Sequence, residues 1–143
     1  MRVPAFWDSS ALVPLCVQQS ITPHAVALHK THDVVAWWAA PVEIASALAR
    51  LVRLQQIIPT DYAKARKLAK ALSDSWSLIQ PSDVLRARAL QLVDQYDLRA
   101  ADAMQLAAAM EWCEGAPQGR VFLSADQRLR EAALLVGFNA KHI

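Results

Sequence analysis

Four acidic residues sit inside short runs of apolar or small residues: Asp8 in FWDSSAL, Glu43 in PVEIASAL, Asp102 in RAADAMQLAAA and Asp126 in FLSADQRL. Taken singly, each has an ordinary role, because Asp and Glu favour helix N-termini, where they accept backbone hydrogen bonds and oppose the macrodipole. Brought together in a partly buried place, like charges repel and raise one another's pKa, so a cluster that persists needs a cation to neutralise it. The donors are all oxygen, which selects a hard ion. Mg²⁺ or Mn²⁺ fits, since such ions take one or two carboxylates directly, keep several waters and use substrate phosphate oxygens for the rest. The matching chemistry is phosphodiester hydrolysis, in which one or two metals activate a water and no side-chain nucleophile is required.

Strands alternating with helices must position these acids. Residues 3–7 are an apolar run that predicts a buried strand ending at Asp8, with a helix beginning near Ala11. Thr22-Pro23 predicts a helix to about Thr31, with Thr22 as N-cap, and residues 33–38 a second strand. Pro41 opens a helix with Glu43 in its first turn and Val42, Ala45, Leu48, Ala49 and Val52 as its core-facing stripe. Thr60 caps a helix through Trp76, whose inner side carries Tyr62, Ala65, Ala69, Leu72 and Trp76. Residues 77–80 form a short strand, and Ser82 caps a helix to about Tyr96.

After the link Asp97-Leu98-Arg99, a helix over 100–114 holds Asp102 in its first turn and stops at Gly115 and Pro117. Residues 120–123 are a strand, 124–126 a turn containing Asp126, 127–135 a helix and 138–142 a last extended segment. Such alternation predicts a three-layer α/β/α fold, a central mainly parallel sheet flanked by helices, which binds ligands at the carboxyl ends of its strands. All four acids fall on that rim.

A length of 143 residues with 55% hydrophobic and 20% charged residues predicts a single domain over 1–143 that fills its own core. No apolar run reaches the roughly 20 residues of a membrane span, and the N-terminus lacks the pattern of a signal peptide, so the cytoplasm is the expected compartment and no membrane partner is expected. Cys16 and Cys113 have no metal-site spacing and read as buried small hydrophobes. A net charge of +2 permits a nucleic-acid partner without demanding one.

Other residues invite function and have simpler explanations. His24, His29 and His32 lack a framing motif and read as surface helix residues. Trp37 and Trp38 point to opposite faces of a strand, so at most one would face a given ligand, and burial is expected for both. Asp94 and Asp97 read as solvated. Arg50, Arg53 and Arg99 suit either RNA phosphates or surface ion pairs.

The segments DSSAL, VEIASAL, ADAMQLAAA and SADQRL, in that order over nearly the whole chain, resemble the PIN-domain nucleases, and the length resembles the VapC-type toxins of toxin–antitoxin pairs. The resemblance implies a PIN-like fold in which Asp8, Glu43, Asp102 and Asp126 ligate Mg²⁺ or Mn²⁺ directly or through water. It makes Ser10 a brace for Asp8 or for a water, and allows Asp126 to act from further out. It also implies a metal-dependent endoribonuclease with an RNA substrate, a homodimer, and a cognate antitoxin whose tail occupies the catalytic groove. A haloacid-dehalogenase-type phosphatase would need an Asp where Ser10 stands, and a receiver domain would need paired acids and a late Lys that are absent. The alternatives are a non-catalytic PIN-like module that binds RNA or protein, and a metal-dependent nuclease acting on DNA.

Overall fold

In a computed structural model describing residues 1–143, the apolar runs pair side by side. Strands β1 (Val3–Trp7), β2 (His32–Trp37), β3 (Ser77–Ile79), β4 (Val121–Ser124) and β5 (Asn139–His142) form one sheet in the order β3-β2-β1-β4-β5. Every pairing is parallel, where a mainly parallel sheet was expected. Both faces are covered, which is why β1 reads as an unbroken apolar segment rather than an alternating one.

Successive side chains leave the sheet on opposite faces. Phe6, Val35, Trp37 and Phe122 join one core, with α5 (Asp83–Gln95), α6 (Ala100–Trp112) and α7 (Gln127–Val136) packed over it. Ala5, Trp7, Val34, Ala36 and Leu123 join the other, under α1 (Ser9–Cys16), α2 (Thr22–Thr31), α3 (Ala40–Arg53) and α4 (Pro59–Ser73). Cys16 and Cys113 are buried free thiols, one in each core. No helix is long and apolar enough to cross a membrane.

The chain lays β1, β2 and β3 outward in one direction, then returns to place β4 and β5 on the other side of β1. In an open parallel sheet, the crevice where the order reverses lies beyond the carboxyl ends of the two strands that flank the reversal. Here those strands are β1 and β4, which run into Asp8 and Ser124 respectively.

Local departures from the expected elements have physical causes. Thr22 does not cap α2: its hydroxyl donates to the Pro14 carbonyl at 2.8 Å and accepts from the Gln19 amide at 2.9 Å, tying the α1–α2 turn instead. Thr60 likewise lies inside α4, which begins at Pro59 with no side-chain cap. Of the stripe expected on α3 only Leu48 is fully buried; the helix buries Ala40 and Ile44 with it, and Val42 is 71% exposed. Trp37 is in the core, but Trp38 falls past the end of β2 and is half exposed. His32 opens β2 rather than lying on a surface helix, and the ring of His29 meets Trp7 in a T-shaped contact.

Candidate functional site

Asp8 is placed by two elements at once. Its amide donates to the Leu123 carbonyl at 3.1 Å, extending the β1–β4 pairing, and its carboxylate caps α1 by accepting from the Ala11 amide at 3.0 Å. The side chain is only 4% exposed. Ser10 donates to Oδ1 at 2.7 Å and Ser124 to Oδ2 at 2.9 Å, so both oxygens are held by neutral hydroxyls. Ser10 and Ser124 are themselves fixed, accepting from the Ala125 and Asp126 amides, each at 2.9 Å.

Glu43 lies in the first turn of α3 and Asp102 in the first turn of α6, so the two helix layers each bring an acid to the same rim. Asp126 caps α7, its Oδ1 accepting from the Leu129 amide at 3.1 Å. The four carboxylates line one cavity of about 440 Å³ with Ser9, Ser10, Val42, Ser46, Ala101 and Gln105. That lining contains no Lys, Arg or His.

Burial without a positive partner has an electrostatic consequence. Desolvation pushes Asp8 up from 3.8 to about 7; hydrogen bonds from Ser10, Ser124 and Ala11 oppose the rise, and the charge of Asp126 adds to it. Asp102 is also raised, first by desolvation and then by Asp126, with Arg99 and Arg128 drawing it back from outside the cavity. Burial of Asp8 and Asp102, with the charge of Asp126 adding to it, is therefore unfavourable as it stands, and a cation beside them would relieve it.

No three His, Cys, Asp or Glu side chains converge closely enough to enclose an ion by themselves. Both oxygens of Asp8, Oε1 of Glu43 and Oδ1 of Asp126 accept from hydroxyl, amide or backbone donors instead. That suits a small hard cation, which binds through one or two carboxylates and fills its remaining positions with water and substrate oxygens. Asp8, Glu43, Asp102 and Asp126 are the residues whose oxygens could hold one directly or through water.

Sequence reasoning passed over three members of this network: Ser9, Ser124 and Gln105. Ser9 donates to Glu43 Oε1 at 2.7 Å, and Gln105 Nε2 donates to the same oxygen and to Ser9 at 3.0 Å. Gln105 is 3% exposed, and its Oε1 has no partner. The signal was available: Gln105 interrupts the apolar run AMQLAAA three residues after Asp102, on the same side of a helix. Asp94 and Asp97 stay outside the cavity, exposed, with Asp97 3.7 Å from Arg128.

No family model and no curated protein sequence matches the chain. Solved structures do. A toxin–antitoxin complex from Klebsiella pneumoniae is 18% identical over 87% of this chain and 88% of its own, with a TM-score of 0.62. A protein from Pyrobaculum aerophilum is 22% identical over 99% and 90%, with a TM-score of 0.68. VapBC2 from Rickettsia felis, bound to a DNA fragment from its promoter, is 7% identical over 98% of both chains, with a TM-score of 0.66. At such identities the likeness speaks to the backbone, and the chain has the PIN-like α/β/α fold seen in these toxin–antitoxin structures.

Proposed function

We propose that this protein is a Mg²⁺- or Mn²⁺-dependent endoribonuclease, the toxin of a toxin–antitoxin pair. The observation that carries this is the cavity at the β1–β4 switch point, lined by four carboxylates and no base. A divalent cation would supply a Lewis acid for the phosphodiester and for the attacking water. Asp8, Glu43, Asp102 and Asp126 would hold it, directly or through water.

The chain's own residues do the positioning. Ser10 and Ser124 each donate to one oxygen of Asp8, which holds its carboxylate in one orientation. Asp102 lines the cavity from the opposite helix layer and is less buried than Asp8. Asp126 serves its helix through Oδ1 and contributes chiefly charge. Ser9, Ser10 and Ser124 brace carboxylates through their hydroxyls.

The Klebsiella and Rickettsia neighbours are toxin–antitoxin assemblies, which supports a cognate antitoxin as the partner that restrains this activity. A homodimer acting on RNA in the cytoplasm completes the proposal. The test is cleavage of total cellular RNA by purified, antitoxin-free protein with Mg²⁺, Mn²⁺ or EDTA, beside Asp102→Asn. Discrete metal-dependent fragments that vanish in the variant are expected. RNA left intact by wild type in every metal overturns the endoribonuclease assignment, and a DNA substrate is then the next to try.

A further inference from the structure

We propose that Gln105 is a positioning residue that, with Ser9, fixes Glu43 through one carboxylate oxygen so that Glu43 meets the cation with the other, as a monodentate ligand. This rests on the metal-dependent function proposed above. Glu43 Oε1 accepts from the Ser9 hydroxyl at 2.7 Å and from Gln105 Nε2, and Gln105 Nε2 also lies 3.0 Å from Ser9 Oγ. Ser9 stands on α1, Glu43 on α3 and Gln105 on α6, so helices from both faces of the sheet are tied at a single oxygen. Oε2 accepts none of the chain's hydrogen bonds, and Glu43 lines the cavity.

The residue type fits this task. An oxygen already accepting two hydrogen bonds is a poor partner for a metal, which leaves its twin to coordinate. The amide donates strongly without charge, whereas Lys or Arg in its place would repel a cation. Gln105 is nearly fully buried, and its Oε1 finds no donor. An unpartnered buried amide oxygen is a cost to the fold that a leucine would not carry, and it offsets what the two Nε2 hydrogen bonds contribute to stability.

The test is Mn²⁺ binding, measured by titration calorimetry on the full antitoxin-free chain, for wild type, Gln105→Leu, Glu43→Gln and the double variant, with thermal melts in EDTA. Gln105→Leu is expected to weaken Mn²⁺ binding about tenfold or more without lowering the metal-free melting temperature. The double variant is expected to bind no more weakly than Glu43→Gln alone, because Gln105 acts through Glu43. Gln105→Asn keeps the amide but falls one methylene short of Glu43; it is expected to weaken binding too and carries the test should the leucine variant lose stability. Wild-type affinity in Gln105→Leu and Gln105→Asn, or losses that add in the double variant, overturns the positioning role while leaving the metal site standing. A wild type that binds no Mn²⁺ overturns the metal site and this role with it.

Discussion

The two ends of the sheet treat acids in opposite ways. At the amino end, Asp33 of β2 is met by Arg2, whose Nε lies 2.6 Å from its Oδ1 and whose other nitrogens donate to the Lys30 and His32 carbonyls at 2.9 Å. Charge is answered by charge in an exposed setting. At the carboxyl end, Asp8, Glu43, Asp102 and Asp126 line a cavity with no basic residue, and only hydroxyls and amides donate to Asp8 and Glu43. One rim is closed by its own counter-charge, and the other is left electrostatically open. Asp8 and Asp126 each cap a helix, yet the burial of Asp8 and Asp102 away from any basic lining residue is a cost that the amino end does not carry.

The sharpest break of this contrast is to remove a charge from the open rim. Asp102→Asn is expected to drop RNA cleavage more than about a hundredfold, since even residues behind metal ligands are worth about 10–100-fold. Cleavage by this variant near the wild-type rate would mean that the acids have no catalytic part.

The second effect is on stability and its pH dependence. Asp8 titrates at about 7 in the fold against an ordinary 3.8, so between those values the folded chain holds the extra proton. Its contribution to metal-free stability is therefore fully present below about pH 4, is lost as pH climbs toward about 7, and stays level above that. Each pKa unit is worth about 1.4 kcal/mol, which sets a ceiling of about 4 kcal/mol. Asp8→Asn escapes that penalty but disturbs one serine hydrogen bond, so a net gain of about 1–3 kcal/mol is expected at pH 8 in EDTA. Urea melts at pH 5 and pH 8 measure it, and a variant less stable than wild type at pH 8 would show that burial of this charge costs little.

A smaller effect sharpens the role of the hydroxyls. Ser124→Ala removes a donor that holds the Asp8 pKa down, so the pH midpoint of Mn²⁺ binding should move upward, with affinity at pH 7 falling about 3–10-fold. An unmoved midpoint would remove Ser124 from the account. The smallest effect belongs to the closed rim: Arg2→Ala disrupts an ion pair whose partners are 42% and 59% exposed, and it should cost about 0.2–1 kcal/mol with Mn²⁺ binding unchanged. Coupling between that pair and the metal would dissolve the distinction between the two ends.

Much of this arrangement was legible locally. The apolar runs of β1 and β4, the Ser82 cap of α5 and the breaks at Gly115 and Pro117 are written in a few neighbouring residues each. The frame of α3 was not. Val42, Ile44, Ala45, Ala47, Leu48, Ala49, Leu51 and Val52 leave two apolar stripes at helical spacing, and periodicity cannot choose between them. Packing against α1 and α4 selected the one through Ile44 and Leu48. That choice leaves Val42 on the cavity's edge and turns Glu43 toward Ser9 and Gln105.

By itself, then, the sequence determined the order of strands and helices and the placing of each acid at a strand end or in a helix's first turn, because capping, turn and periodicity preferences act over a few residues. Only the tertiary structure decided that β4 returns beside β1, so that Ser124 reaches Asp8 across 116 residues and Gln105 reaches Glu43 across 62. Such meetings are set by how two helix layers close over one sheet, where long-range packing and not local preference selects which polar groups face each other.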